Sequence, residues 1–116
     1  MAHSQLEFFR GSWIADYPDA ENYLSLFYSR NFSPAGPNYF HFNSPVFDSL
    51  FVKALTTPDK DLRNRIYLAL DQMVMDESVV IPLYYDQVVR FVPVQLGGLG
   101  SNPMNLLNLK NAHWSQ

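Results

Sequence analysis

Two stretches in the middle of the chain repeat apolar residues at the three- and four-residue spacing of an α-helix. In the first stretch, Phe47, Leu50, Phe51 and Ala54 fall on one face. It is preceded by Ser44-Pro45, a favoured capping residue followed by the residue favoured at the first helical position. The pattern therefore predicts an amphipathic helix that begins at this dipeptide.

A longer helix is predicted from about Asp59 to Asp76, after a break at Thr57-Pro58. Asp59 and Asp61 lie near its start, where acidic side chains suit the positive end of the helix dipole. The apolar stripe that we expect to be buried consists of Leu62, Ile66, Leu70, Met73 and Val74.

A third, shorter helix is predicted over about Ala20–Tyr28, with Asp19 as its N-cap after a break at Tyr17-Pro18. Residues 30–43 then form a loop, because proline, glycine and asparagine interrupt them. Aromatic side chains in a loop need cover, so we expect this loop to pack onto a surface. The aromatic residues in question are Phe32, Tyr39, Phe40 and Phe42.

Three segments have the composition of β-strands. Residues 6–14 alternate with apolar groups on both faces, and residues 79–85 and 88–94 are rich in β-branched and aromatic side chains. Residues 95–103 contain three glycines and predict a loop, while the tail from 104 to 114 shows no clear period. The order of one strand, two to three helices and then strands predicts an α+β fold.

Composition and charge narrow the functional classes. The chain has 116 residues, the size of one domain, and is 47% hydrophobic, which excludes disorder. A net charge of −3 without any basic run argues against nucleic-acid binding. The absence of cysteine removes disulfides, thiol catalysis and zinc–thiolate sites. No apolar stretch approaches the length of a membrane span.

The first residues, Met-Ala-His-Ser-Gln, lack the basic region and apolar core of a secretory signal. Two interpretations follow: either the protein is cytoplasmic, or the chain is a fragment of a longer protein. The predicted strand begins with almost no lead-in, and the aromatic content exceeds what a few helices and strands need. Both features favour the fragment.

No residues have the spacing of a catalytic or metal site. The three histidines, His3, His41 and His113, are far apart along the chain. Asp16 and Asp19 lie three residues apart across a proline turn, for which a capped turn is the plain interpretation. Because no nucleophile can be matched with a base, the sequence predicts neither an enzyme nor a cofactor or metal.

Four motifs nevertheless occur in order along the chain. They are Gly11-Ser12-Trp13-Ile14-Ala15-Asp16-Tyr17-Pro18-Asp19-Ala20-Glu21-Asn22-Tyr23-Leu24, Asn43-Ser44-Pro45-Val46-Phe47-Asp48, Arg65-Ile66-Tyr67 and Val80-Ile81-Pro82-Leu83-Tyr84-Tyr85. Together they resemble the family 5 solute-binding proteins, the oligopeptide- and dipeptide-binding components of ABC importers. The usual family pattern is W-x-A-D-Y-P-D-P-x-N-F-L, N-P-x-F-D, R-x-x-L-Y and P-L-Y-Y. The resemblance covers essentially the whole chain, whereas the chain covers only the C-terminal portion of a typical member.

The resemblance implies roles for residues of the first motif. In peptide-binding relatives the aspartate of W-x-A-D takes the ligand's α-ammonium group, and here that residue is Asp16. The preceding strand pairs with the peptide main chain, so Ser12 and Ile14 would supply backbone groups. Trp13 would form the wall of a side-chain pocket. Arg10 matches a position where some relatives hold the peptide carboxylate.

The resemblance further implies that Asn38 borders the ligand cleft. It also implies a two-lobed fold of the periplasmic-binding-protein type. Residues 1–116 would form a single fragment of it, with about 1–94 in one lobe and about 95–116 as a tail that returns to the other. The implied partners are a short peptide, the permease subunits of the transporter and the remaining lobes. The implied location is periplasmic or extracellular, and associated with the membrane.

Two alternatives stay open at this point. A protein of the same family can bind a nickel chelate, an oligosaccharide, haem or a cell-wall peptide, although the acidic Asp16 favours a ligand with an amino group. From another class, the chain can be a structural module without a small ligand, in which uncovered aromatic residues drive self-association or pairing with the missing lobe.

Overall fold

A computed structural model describes residues 8–100, 102 and 106–115. The chain divides into two compact units between Pro82 and Leu83. The first unit contains all the helices of the described residues, and the second contains a short two-stranded sheet. The presence of both helices and a small sheet confirms the α+β class predicted from the sequence.

The helices of the first unit follow the predicted order. Helix α1, Glu21–Leu24, continues directly into a 3-10 turn at Ser25–Phe27, and a second 3-10 turn occupies Ser29–Asn31. Helix α2 spans Pro45–Leu55 and helix α3 spans Lys60–Asp76. The loop predicted over residues 30–43 is confirmed from residue 32 to residue 43, whereas residues 30 and 31 belong to the second 3-10 turn.

Local signals set the helix ends. The Ser44 hydroxyl accepts a hydrogen bond from the backbone N–H of Phe47, and the Asp59 carboxylate accepts one from Leu62. At the end of α3, Ser78 takes the left-handed backbone conformation, with φ 53°. The N–H of Ser78 reaches the carbonyl of Met75, and the next N–H reaches that of Val74, as in a Schellman motif.

Aromatic rings form the centre of the first unit. Phe47 is fully buried and contacts Phe42 edge-on, with ring centroids 5.4 Å apart. It also lies 6.1 Å from Phe51 and 6.5 Å from Phe27. Phe40 stacks on Phe27 at 5.4 Å. The expectation that the aromatic loop packs onto a surface is therefore confirmed, because its rings complete the core that α2 and α3 begin.

The buried face of α3 differs at its first turns from the predicted stripe. Ile66, Leu70 and Val74 are buried as expected, but Leu62 is 42% exposed. Tyr67 is buried instead. The reason is tertiary, because the start of α1 packs against α3 and covers the side of the helix that carries Tyr67.

The second unit contains an antiparallel pair of strands, β1 at Leu96–Gly97 and β2 at His113–Trp114. They pair within the glycine-rich segment and the tail, neither of which was expected to contain a strand. In the described part of the chain, no helix is long and apolar enough to cross a membrane.

The strand predictions for residues 6–14, 79–85 and 88–94 are wrong for the described residues. Residues 9–15 and 79–92 have no regular secondary structure, and residues 6 and 7 lie outside the described part. A strand requires a neighbouring strand to pair its N–H and C=O groups. No such neighbour is found among the described residues, so alternation and β-propensity alone did not produce strands.

The aromatic core predicts the effect of truncating Phe47. Phe47→Ala should lower the free energy of unfolding by about 3–5 kcal/mol, because it removes a ring that touches three others and leaves a cavity. Val46→Ala, one position earlier on α2 and 61% exposed, is the matched control and should change it by less than about 0.5 kcal/mol. Chemical denaturation of both variants measures this. Equal losses would contradict the assigned core.

Candidate functional site

The first motif places an irregular segment before an exposed carboxylate. Residues 9–15 have no regular secondary structure, and the chain bends at Asp16. Asp16 is exposed, Ile14 is 67% exposed and Trp13 is 36% exposed. In the described part of the chain, no backbone hydrogen bond joins Ser12 or Ile14 to another segment. Their N–H and C=O groups are therefore open to a ligand main chain.

Asn22 holds Trp13 and Asp16 in place. Its side chain lies on the first turn of α1 and is almost completely buried. The Asn22 Oδ1 accepts a hydrogen bond from Trp13 Nε1 at 2.7 Å and a longer one from the Asp16 backbone N–H at 3.3 Å. Its Nδ2 points at Asp16 Oδ2 from 3.4 Å, beyond the usual range. Asn22 was not among the predicted site residues, although it matches the asparagine of the family pattern, which was a usable signal.

Asp19, the second aspartate of the motif, ties the turn to the helices. Its Oδ1 accepts a hydrogen bond from the Glu21 backbone N–H at 2.9 Å, but the N-cap residue of α1 is Ala20 rather than the predicted Asp19. Its Oδ2 lies 3.9 Å from Arg63 Nη2 on α3. Both side chains are about one-third exposed, so this ion pair contributes little.

Tyr67 lies against the same carboxylate. Burial, followed by a hydrogen bond to Asp19, raises the pKa of Tyr67 to about 12. An open cleft of about 240 Å³ adjoins these groups and is lined by Tyr17, Asp19, Glu21, Leu55, Arg63 and Tyr67. These lining residues do not include Asp16, so the cleft is not the expected ligand site.

Asn38 occupies a different place from the other predicted site residues. It is fully buried, and its Nδ2 donates to the carbonyls of Tyr28 and Phe42 at 3.1 and 3.0 Å. Its Oδ1 accepts from the Phe42 N–H at 3.2 Å. In this arrangement the amide closes the aromatic loop, and its donors are fully used within the protein. A contact with ligand stays a prediction that this geometry does not favour.

The second motif is also built into the scaffold. The Asp48 carboxylate accepts hydrogen bonds from the backbone N–H of Ser29, at 3.1 Å, and from the Ser29 hydroxyl. It thereby caps the 3-10 turn Ser29–Asn31 from α2. Ser44 caps α2 and Asp48 caps the 3-10 turn, which explains why this motif has a short capping residue and an aspartate four positions apart.

The predicted site residues therefore fall into two groups. Ser12, Trp13, Ile14 and Asp16 are exposed and close together along the chain, and Arg10 is exposed on the same segment. Asn38 is buried inside the loop. Among the residues that the structure describes, no cluster of three or more His, Asp or Glu side chains could hold a metal ion. The arrangement suits recognition by backbone pairing and a single negative charge.

Known proteins similar to this chain are bacterial binding proteins. The chain is 30% identical over 105 residues to the periplasmic oligopeptide-binding protein OppA of Salmonella typhimurium, covering 90% of this chain and 19% of that protein. It is 28% identical over 93 residues to the periplasmic murein peptide-binding protein MppA of Escherichia coli, covering 80% of this chain and 17% of that protein.

A third similar protein is the probable deoxycholate-binding periplasmic protein YgiS of Escherichia coli. It is 26% identical over 105 residues, covering 90% of this chain and 19% of that protein. No family model matches the chain. The matched proteins are periplasmic solute-binding proteins as a class, and the chain spans about a fifth of their length. More narrowly, the chain matches a segment of oligopeptide- and murein peptide-binding proteins, which supports the resemblance to the family 5 solute-binding proteins.

The geometry of Asn38 predicts a large effect of a small chemical change. Asn38→Asp should lower the free energy of unfolding by about 3 kcal/mol, because a carboxylate replaces the donor that serves two buried carbonyls. Asn43→Asp makes the same change at an exposed position and should cost less than about 0.5 kcal/mol. Urea unfolding measures both. A loss no larger at Asn38 than at Asn43 contradicts the buried role.

The raised pKa of Tyr67 predicts a pH dependence of stability. In the unfolded chain the phenol titrates near its ordinary pKa of 10.0, so the contribution of Tyr67 is complete below pH 10 and is lost as pH rises towards about 12. Denaturation at about pH 8 and about pH 11 should show this fall. Tyr67→Phe should reduce it, whereas Tyr23→Phe, at an exposed tyrosine, should keep it. An equal fall in both variants contradicts the assignment.

Proposed function

We propose that this segment forms one wall of the ligand site in the peptide-binding component of an ABC importer. The observation that carries the proposal is the exposed Asp16 carboxylate, which closely follows Ser12 and Ile14, two residues that make no backbone hydrogen bond within the described part of the chain. Asp16 takes the α-ammonium group of a short peptide through a charge-assisted hydrogen bond. The role is binding rather than catalysis.

The backbone before Asp16 supplies the second element of recognition. Among the residues that the structure describes, no backbone hydrogen bond engages the N–H and C=O groups of Ser12 and Ile14, so an extended peptide can add to these alternate positions as a strand. Main-chain pairing supports binding of peptides of different sequence, because it uses groups that every peptide has. Trp13, held by Asn22, then forms the wall of a side-chain pocket next to the paired strand.

Other parts of a complete family 5 protein that carries this segment, here called the parent protein, complete the site. Asp16 is exposed in the segment, and an ion pair in open water contributes little. Closure of a second lobe over the ligand excludes water and strengthens the bond. The proposed parent is two-lobed, with residues from about 1 to 94 in one lobe and from about 95 to 116 returning to the other.

Residues 83–94 supply a surface for those missing parts. Tyr85, Phe91 and Val94 are each at least 97% exposed, and several of their apolar neighbours are more than half exposed. Large exposed apolar surfaces mark contact sites, so we assign this one to the remaining lobes of the parent. Without those lobes, the same exposed apolar surface promotes self-association of the chain. The parent acts in the periplasm or outside the cell, associated with the membrane, and delivers ligand to the permease subunits.

The similar proteins do not all have peptide in their names, since one is described as deoxycholate-binding. The chemistry of Asp16 discriminates between such ligands. A carboxylate attracts an ammonium group and repels the carboxylate of a bile acid. The exposed Asp16 therefore favours a peptide with a free amino terminus over an anionic steroid.

The test is a substitution of Asp16 in the parent protein. Asp16→Asn keeps the side-chain shape but removes the charge, and should weaken binding of a peptide with a free amino terminus by about ten- to a hundredfold. The N-acetylated peptide should bind the variant and the unmodified protein alike. Isothermal titration calorimetry measures both affinities.

Asp71→Asn serves as the control, because Asp71 is an exposed carboxylate on α3 and should not affect peptide affinity. The role of Asp16 is wrong if Asp16→Asn binds the free peptide as tightly as the unmodified parent does. A parent protein that binds deoxycholate but no peptide overturns the ligand class.

A further inference from the structure

We propose that Asn22 is the positioning residue of the Asp16 site, acting through both the Trp13 indole and the Asp16 carboxylate. The inference deepens the proposed function and rests on it for the ligand. The structural part of the inference does not depend on the ligand, because the buried Asn22 amide contacts both Trp13 and Asp16, the two groups expected to face the ligand.

The chemistry of its neighbours defines the orientation of the Asn22 amide. An indole N–H can only donate, and an ionised carboxylate can only accept. The amide oxygen must therefore face Trp13, which it does at 2.7 Å, and the amide nitrogen must face Asp16. The reverse orientation would place two donors together on one side and two acceptors on the other. Each contact thus reinforces the other.

A neutral donor has a particular advantage beside a ligand-binding carboxylate. Lysine or arginine in the place of Asn22 would orient Asp16 but would also cancel the negative charge that attracts an ammonium group. The amide nitrogen lies 3.4 Å from one oxygen, Oδ2, as a long polar contact, while the Asp16 side chain keeps its full charge for the ligand. Asn22 is nearly inaccessible to solvent, so it acts on ligand only through Trp13 and Asp16.

Asn22 also connects this geometry to the core of the first unit. It lies on α1 two residues before buried Leu24, and its own carbonyl accepts a hydrogen bond from the Ser25 hydroxyl at 2.9 Å. Segment 9–15 has no regular secondary structure to fix it. The hydrogen bonds from the Asn22 side chain to Trp13 and Asp16 therefore hold this segment on α1, as pairing with a neighbouring strand would hold it in a sheet.

The first experiment needs no ligand and uses hydrogen exchange of the two indole N–H groups, followed by NMR of the 116-residue chain. The Trp13 indole should exchange about tenfold more slowly than that of Trp114, which is 67% exposed. Asn22→Ala should bring Trp13 towards the rate of Trp114. Asn22→Asp keeps an oxygen acceptor and should leave Trp13 protected.

Asn31→Ala is the matched control, because the Asn31 side chain also bonds a backbone group, the Ser25 carbonyl, but that bond involves neither Trp13 nor Asp16. It should leave the Trp13 indole protected. If Trp13 exchanges as fast as Trp114 in the unmodified chain, the proposal is overturned. The same holds if Asn22→Ala leaves Trp13 protected. Should Asn22→Ala fail to fold, the unmodified chain and Asn22→Asp still decide.

The second experiment measures peptide affinity in the parent protein. Asn22→Ala should weaken binding of a free amino-terminal peptide by about tenfold, while Asn31→Ala leaves it unchanged. If Asp16→Asn weakens binding and Asn22→Ala does not, the proposed function stands and the positioning role is wrong. If neither variant weakens binding, the proposed function is wrong, and indole exchange alone tests the contact between Asn22 and Trp13.

Discussion

Buried backbone groups must find hydrogen-bond partners, and in the first unit side-chain amides satisfy this constraint where no sheet is present. Asn38 bonds two carbonyls and one N–H across the aromatic loop, and Asn22 bonds the segment that precedes α1. These contacts hold irregular backbone against the packed helices. Aromatic rings from this backbone and from the helices then pack around Phe47 and bury one another.

A side-chain amide also connects the core with the candidate site. Asp16 and Trp13 are exposed, but Asn22, which holds them, is itself buried on α1. The site therefore has a stable base and an open face, as expected for one wall of a cleft. The network also explains why the first motif is long. Trp13, Asp16 and Asn22 must all be present at fixed spacing, and the intervening Asp19 bonds the Glu21 N–H at the start of the helix that carries Asn22.

Helices were predictable and strands were not, for a physical reason. A helix satisfies its backbone within one segment, so the caps at Ser44 and Asp59 and the apolar period of α2 and α3 were sufficient to place them. A strand is defined by a distant partner. The segments at 79–85 and 88–94 have strand composition without a partner in the described residues, whereas Leu96–Gly97, in a glycine-rich loop, pairs with His113–Trp114.

The sequence by itself determined the family resemblance, the helices and the first candidate, Asp16, because motifs and caps are local patterns. Only the tertiary structure decided what surrounds them. It buried Asn38 inside the protein and assigned Asp48 to a cap. It also revealed Asn22 as the link between Trp13 and Asp16. Those assignments depend on which segments meet in space, and that is set by packing of the whole core rather than by spacing along the chain.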